Sequence, residues 1–391
     1  MSTVSAMPTL DLKPKSNIAN KVRNTVLPKT KPLVPVYEAV SNAIHSINEV
    51  AKLQPINGRI IINLIRNGSP DILKDLQEID QYPIRSVEVV DNGIGFNDEN
   101  MTYFIEADTD HKIEIGGKGV GRFVCLKAFK LLTISSVFEY NDTLVERDFE
   151  FKNTKEGIHN FSQKEATGGD RMTKITLTEF RDEYQKNVPF GLVEFARELV
   201  NHFLLYFIQD SAPEIIIRNQ NNLEVNCKNL FNTEFQKEIE SKIFEIGTSE
   251  FTLYLTKSYN ALSHKIHYCA HHRSVKEEGL INKIPDLGKY SIKDDEGQYY
   301  YQAYVVSDFL DEHVNNERVG FDFPVEEDED DLTLIKEITL YKIRNAAVNT
   351  IEEILADYLT VVRQARLTAI GLPLMMNYLN TEPFSITRLT K

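Results

Sequence analysis

Apolar residues recur along this chain with the spacings of helices and strands. The segment Val34–Val50 repeats them every three to four residues, which predicts a helix with one apolar face formed by Val36, Val40, Ile44 and Ile47. The same reasoning predicts helices at Val120–Phe129, Val188–Ile208 and Leu332–Gln364. Short or alternating apolar runs predict strands at Arg59–Ile65, Arg85–Val90, Leu131–Tyr140, Thr143–Phe151, Thr173–Thr178, Glu214–Ile217, Phe251–Leu255, Lys265–Cys269 and Tyr299–Val306. A helix followed by strands, with helices packed on one side, favours an α+β fold.

The pattern also predicts where the chain divides. Residues 1–30 interleave basic residues with prolines and show no apolar period, so we expect an N-terminal arm. Residues 31–182 form the first predicted domain, and 183–325 a second domain made mostly of strands. The acidic run Glu326–Asp331 predicts a solvated break, after which 326–391 is a helical tail or the start of a further domain. A length of 391 residues fits two or three domains.

Composition narrows the class of protein. The chain is 42% hydrophobic and 26% charged, without the long apolar run of a membrane span or the apolar core of a signal peptide. Its cysteines, Cys125, Cys227 and Cys269, lie far apart, which fits a cytoplasmic protein without a disulfide framework. The net charge of −14 disfavours a broad nucleic-acid surface, so any DNA contact would come from a local basic patch or from other parts of a larger assembly.

The first motif is E-A-V-S-N-A, at Glu38–Ala43. Glu38 and Asn42 are one turn apart on the predicted helix and project from the same face. A carboxylate there can orient water for attack on phosphorus, and an amide oxygen can be a ligand for Mg²⁺. The alternative is an exposed helix face that carries these residues by chance.

The second motif is D-N-G-I-G-F, at Asp91–Phe96, directly after a predicted strand. An aspartate at the end of a strand can accept a hydrogen bond from an exocyclic amine, which would select adenine. Gly93 and Gly95 would let the backbone approach a ligand without a Cβ in the way. The alternative is an ordinary turn.

The third motif is G-G-K-G-V-G-R-F, at Gly116–Phe123, which leads into a predicted helix. Backbone N–H groups at a helix N-terminus bind anions, and glycines let several of them converge. The residues that would form this phosphate loop are Gly117, Lys118, Gly119, Val120, Gly121 and Arg122. The segment lacks the Ser or Thr of a Walker A loop and the strand-turn-helix unit of a Rossmann fingerprint. A flexible loop is the alternative.

The three motifs in this order resemble the GHKL ATPase superfamily, which includes gyrase B, the ninety-kilodalton heat-shock chaperones, histidine kinases, MutL and MORC proteins. The resemblance covers about Val34 to Thr178 and implies a Bergerat sandwich, a mixed sheet with helices on one face. It implies that Glu38 activates water, that Asn42 holds Mg²⁺, and that Asp91 with Gly93 and Gly95 reads the adenine of ATP. Thr173, in M-T-K-I-T-L, is similar to a threonine that supports adenine in this superfamily, although Met172 stands where relatives have glycine.

Residues 183–325 resemble the transducer domain of the MutL, gyrase and MORC group. There Ile266–Val275 matches a strand-turn element, and Arg318 lies where a basic residue reaches the γ-phosphate; an ordinary loop arginine is the alternative. The resemblance implies an ATP-gated homodimer that passes motion to a downstream domain or protein partner. The lack of a long apolar run predicts no membrane contact. Three activities stay open: a DNA-linked clamp, for example in prokaryotic genome defence, a chaperone-like ATPase, and an ATP-binding scaffold that does not hydrolyse. Glu38 favours hydrolysis over kinase activity.

Overall fold

The computed structural model describes residues 17–66, 82–105, 121–259, 261–288, 290–315, 320–325 and 338–364. Contacts within the chain divide it into two units, Met1–Glu234 and Phe235–Lys391. Each unit contains a β-sheet with helices, and the α+β class predicted from the sequence is confirmed. None of the helices in the described residues has the length and apolar character needed to cross a bilayer.

The first unit is built on a mixed sheet of eight strands. Its strands are β1 (Arg59–Arg66), β2 (Ile84–Asp91), β3 (Phe129–Tyr140), β4 (Thr143–Lys152), β5 (Ile158–Glu165), β6 (Met172–Phe180), β7 (Glu214–Asn219) and β8 (Glu224–Asn226). They lie in the order β5-β4-β3-β6-β2-β1-β7-β8, and every pair is antiparallel except β1 with β7. Side chains alternate along β1, where Ile60, Ile62 and Leu64 are fully buried, as the period of two predicts.

Helices cover this sheet and position the site. They are α1 (Ile18–Asn24), α2 (Val34–Leu53), α3 (Asp98–Ile105), α4 (Gly121–Ala128), α5 (Asp182–Gln185), α6 (Leu192–His202), α7 (Leu204–Ile208) and α8 (Cys227–Leu230). The apolar face of α2 lies against β1, β2 and β6, with Val36, Val40 and Ile44 fully buried. Helix α4 packs on both α2 and β3, and α1 packs on α4, so the three helices form one layer.

The structure adds detail to two predictions of local structure. Residues 18–24, within the predicted N-terminal arm, form α1, which the side chain of Asn17 caps by accepting a hydrogen bond from the amide of Asn20. The predicted helix Val188–Ile208 is two helices, because the backbone leaves helical geometry at Phe203 (φ −102°, ψ 23°). The first of the two begins at Leu192, directly after Gly191, because Pro189 and Gly191 interrupt the predicted start at Val188.

The second unit has its own sheet. Its strands are β9 (Ile239–Ile246), β10 (Ser249–Ser258), β11 (Lys265–Ala270), β12 (Arg273–Gly279), β13 (Ile292–Lys293) and β14 (Gln298–Val306), in the order β12-β11-β14-β10-β9 with β13 beside β14. Helix α9 (Asp308–Glu312) packs on β10 and β11, and α10 (Leu340–Ile354) on β9 and β10. The predicted helix Leu332–Gln364 corresponds to α10 and the helical residues 356–364, while 332–337 lie outside the described residues. The core includes Phe251, Tyr268 and Ile343.

Candidate nucleotide site

Three polar side chains lie side by side at one level of the first sheet. Asp91 ends β2 and is paired with Thr173 of β6, which is in turn paired with Ser136 of β3. All three residues are buried, at 4%, 4% and 0% exposure. The hydroxyl oxygens of Thr173 and Ser136 are 3.0 Å apart, within hydrogen-bond distance. The register of three neighbouring strands therefore builds a polar wall inside an otherwise apolar core.

The Asp91 carboxyl group is buried without a cationic partner among the described residues, which is unusual for an ionisable side chain. Burial raises its pKa to about 7, and the hydrogen bond that the Gly93 amide donates to Oδ1 at 2.9 Å opposes the rise. Among the residues that the structure describes, no cationic group pairs with this carboxylate. Asp91 therefore offers an acceptor to the pocket it lines, at a cost to the folded state.

The loop after Asp91 is held close to both α2 and β3. A Cβ at Gly93 would lie 2.2 Å from Ser46 Oγ, so only glycine allows this contact with α2. Gly95 has a positive φ of 86°, and a Cβ there would lie 2.7 Å from the Cβ of Phe138. The amide of the next residue, Phe96, donates to Ser136 Oγ at 2.9 Å. Both glycines of the second motif are thus required by close backbone approach.

A buried arginine fixes the rest of this loop. The Arg147 guanidinium donates to the carbonyl oxygens of Phe96 at 2.7 Å and Asn97 at 3.0 Å, and it pairs with Asp98 at 2.5 Å. The Asn100 side chain donates to the carbonyl of Gly95 at 2.9 Å. These carbonyl groups lie outside the β-strands, so the side chains supply the hydrogen-bond donors that a neighbouring strand would otherwise give. The loop that forms one wall of the pocket is therefore held in place by the protein itself.

Helix α2 supplies the opposite wall. Glu38 and Asn42 are one turn apart and both line the pocket, Glu38 half-buried and Asn42 exposed. A Cβ at Gly121, the first residue of α4, would lie 2.7 Å from Glu38 Oε2, so glycine lets the two helices meet there. The Glu38 charge also reaches the Cys125 thiol, whose pKa is raised first by burial and then by this carboxylate.

The described end of the glycine segment also faces the pocket. Gly121 and Arg122 line it, and the Arg122 guanidinium lies 5.4 Å from the ring centroid of Phe104 and 4.8 Å from that of Phe123. The other predicted phosphate-loop residues, Gly117, Lys118, Gly119 and Val120, lie outside the described residues, and so does Arg318.

These elements enclose one cavity of about 160 Å³. Of the residues predicted from the sequence, Glu38, Asn42, Asp91, Gly95, Gly121, Arg122 and Thr173 line it. Gly93 lies beneath it against Ser46. The three motifs, separate in sequence, therefore meet at one pocket.

Sequence reasoning missed Ser136 and Arg147, although each leaves a signal. Along β3 the buried positions alternate, and Ser136 occupies one of them between Ile134 and Phe138. Arg147 likewise occupies an inward position of β4, two residues before Phe149. A polar residue at an inward position of an otherwise apolar strand face needs a hydrogen-bond partner, which would have identified both.

The solved structures to which this chain is similar include the ATPase region of a topoisomerase II. The chain is similar to the ATPase region of Saccharomyces cerevisiae topoisomerase II bound to ICRF-187 (dexrazoxane), at 15% identity, with a TM-score of 0.43 and coverage of 84% of this chain and 85% of that one. A second structure of this region gives a TM-score of 0.42 at the same identity and coverage. No family model and no curated protein matches the sequence. What the pocket can bind follows from its own side chains.

Proposed function

We propose that this chain binds ATP in the pocket between α2 and the sheet and hydrolyses it. The observation that carries the proposal is the meeting of Glu38, Asn42, Asp91 and Gly121 around one cavity, from four separate stretches of sequence. The Glu38 carboxylate, the buried acceptor Asp91 and the N-terminus of α4 all line this cavity, and they are groups that a nucleoside triphosphate needs.

Asp91 selects the base in this proposal. A carboxyl oxygen of Asp91 accepts a hydrogen bond from the exocyclic amine of adenine, and a 6-oxo base such as guanine offers no such donor at that position. The hydroxyl of Thr173, hydrogen-bonded to Ser136, adds a second polar contact beside it. A buried acceptor left without a donor disfavours the wrong base strongly, because its desolvation is then uncompensated.

Glu38 and Asn42 act on the phosphate end. The Glu38 carboxylate orients a water molecule for in-line attack on the γ-phosphorus and accepts its proton. The Asn42 amide oxygen fits Mg²⁺, an ion that takes oxygen ligands and keeps several waters. No cluster of three His, Cys, Asp or Glu side chains that could hold a metal occurs in the described ranges, so the ion would enter with the triphosphate. When bound, Mg²⁺ neutralises phosphate charge.

The finer proposal is a nucleotide-gated homodimer. The glycine segment at 117–121 closes over the triphosphate, Arg318 of the second unit reaches the γ-phosphate, and hydrolysis releases both. The motion would pass to a downstream domain or protein partner. A DNA-linked clamp would show an ATPase rate stimulated by DNA in a salt-dependent way, whereas a chaperone-like ATPase would respond to unfolded protein instead.

The test measures ATP binding and ATP hydrolysis separately. We expect Glu38→Ala to lose turnover by at least about a hundredfold while keeping ATP affinity, since only the attacking water loses its partner. Asn48→Ala, at an exposed position of the same helix, is the matched control and should match the wild type. Unchanged turnover in Glu38→Ala would remove Glu38 from the mechanism, and absence of ATP binding by the wild type would refute the proposal.

Light scattering with ATP, ADP and a non-hydrolysable analogue tests the dimer. We expect the analogue to produce dimers and ADP to leave monomers, because only the γ-phosphate distinguishes the two nucleotides. An oligomeric state that is independent of nucleotide would refute the gating.

A further inference from the structure

A second group of polar side chains lies in the sheet of the second unit, on the adjacent strands β12, β11 and β14. Ser274 Oγ is 3.0 Å from Nδ1 of His267, and Nε2 of the same imidazole is 3.0 Å from Oε1 of Gln302. His267 and Gln302 are 9% and 6% exposed, while Ser274 is exposed. The three side chains thus form a line that runs from the surface into the interior of the sheet.

The hydrogen bonds determine which imidazole nitrogen carries the proton. The Gln302 amide nitrogen donates to the carbonyl oxygens of Ser263 at 2.8 Å and Tyr301 at 2.9 Å, which fixes Oε1 toward His267. Since that oxygen can only accept, Nε2 of the imidazole must be the donor. Nδ1 of the neutral ring is then bare, and the Ser274 hydroxyl donates its proton to it.

The surroundings keep the imidazole neutral and immobile. Burial lowers the pKa of His267, and its ring is stacked on Tyr304 with centroids 4.9 Å apart. The Glu277 carboxylate lies 3.7 Å from Nδ1 and favours the protonated ring, and Lys265 opposes it and pairs with Glu277 at 2.5 Å. The ring is therefore neutral at neutral pH and can accept a proton, and the Glu277 carboxylate offsets part of the cost of that charge.

We propose that Ser274 is an activated nucleophile that accepts an acyl group from an activated ester or thioester. A serine within reach of a base that a third group orients is the arrangement that activates hydroxyls in acyl transfer. Ser274 Oγ attacks the carbonyl carbon while its proton moves to Nδ1 of His267. The carbonyl C–O or C–S bond of the donor then breaks, the alcohol or thiol leaves with its electron pair, and the proton on His267 passes to it or to water.

This proposal is independent of the nucleotide pocket, because all its residues belong to the second unit and none lines that pocket. Its assay needs no ATP, and its failure would leave the ATPase proposal unchanged.

The experiment treats the full chain with p-nitrophenyl acetate at pH 7.5 and maps the acetylated serines by mass spectrometry. We expect Ser274 to be acetylated at least tenfold faster than Ser162, an exposed serine on β5. General-base assistance raises a rate by roughly 10² to 10⁴, so the required tenfold difference between Ser274 and Ser162 lies below the effect expected from His267. Equal rates at the two serines would overturn the proposal.

Two further measurements test the relay itself. His267→Asn should reduce acetylation of Ser274 to the rate of Ser162, with a melting curve to confirm that the variant is folded; an unchanged rate would refute the role of His267. Because this residue is buried and the variant can fail to fold, the tautomer is also measured in the unmodified protein by long-range ¹⁵N–¹H NMR. A proton on Nε2 supports the relay, and a proton on Nδ1 overturns it.

Discussion

The buried carboxylate of Asp91 makes protein stability depend on pH in a way that one substitution should remove. Its pKa rises from 3.8 to about 7 in the folded protein because burial disfavours the charge. Below pH 3.8 the group is protonated in both states, and the folded state keeps its full stability. Between pH 3.8 and 7 the unfolded chain ionises while the folded protein holds the proton, so stability falls as pH rises. Above pH 7 both states are ionised, and the loss is constant.

The size of the effect follows from the pKa difference. A difference of about three pKa units at 1.36 kcal/mol each costs the folded state about 4 kcal/mol above pH 7. About 3 kcal/mol of this loss falls between pH 5 and pH 8, the range in which the measurement is practical. For a unit of this size, 1 kcal/mol moves the melting temperature by roughly 2 to 4 °C.

The substitution Asp91→Asn keeps the size of the side chain and an oxygen for the Gly93 amide, but it cannot ionise. We expect the melting temperature of Asp91→Asn minus that of the wild type to increase by roughly 5 to 10 °C from pH 5 to pH 8, whatever constant cost the new amide brings. Other titrating groups cancel in this difference. Differential scanning calorimetry at several pH values without nucleotide is the measurement.

Asp142→Asn is the matched control, because Asp142 is exposed in the turn between β3 and β4 at a positive φ of 60° that asparagine tolerates. Its difference from the wild type should stay flat with pH. A flat difference for Asp91→Asn as well would mean that Asp91 is ionised throughout this range, and the reasoning from burial would be wrong.

Two other substitutions test how the polar wall of Asp91, Thr173 and Ser136 and the loop beside it are built. Ser136→Ala removes the acceptor of the Phe96 amide, so it should lower the free energy of unfolding by about 1 to 3 kcal/mol and weaken ATP binding. Denaturant titration measures the first effect and calorimetry the second. Equal effects from Ser135→Ala, at a half-buried position of the same strand, would contradict a specific role for Ser136. Gly95→Ala should lower the melting temperature more than Gly168→Ala does. Both glycines have a positive φ, but a new Cβ would meet a neighbouring residue, Phe138, only at Gly95. Equal losses would show that backbone strain alone matters.

The sequence predicted the parts of the site that depend on local pattern. The spacing of apolar residues located α2, and therefore the shared face of Glu38 and Asn42. The turn signal after β2 identified Asp91, Gly93 and Gly95 as candidate site residues. These features depend on neighbours within one or two turns of chain, where periodicity and turn chemistry are direct evidence.

What the sequence could not predict depends on which strands become neighbours. The resemblance pointed to Thr173, but its place beside Asp91 depends on the pairing of β6 with β2. Ser136, which sequence reasoning missed, joins them because β3 pairs with β6. In the same way Glu214–Ile217, assigned from the sequence to the second domain, pairs in parallel with β1 of the first sheet. A short apolar run fits either sheet equally well, because its register is decided by residues far away in the chain.

Burial of the Asp91 carboxylate costs the folded state free energy, and binding of a ligand at this pocket would account for a carboxylate in that position. A fold gains nothing in stability from a carboxylate that is 4% exposed and, within the described residues, has no cation beside it. Two glycines, Ser136 and Arg147 nevertheless hold the loop after Asp91 in one conformation. Perturbed acids in a cleft with rigid walls are typical of functional sites. A ligand that donates a hydrogen bond to Asp91 would compensate the desolvation that the protein leaves unpaired, and adenine has that donor.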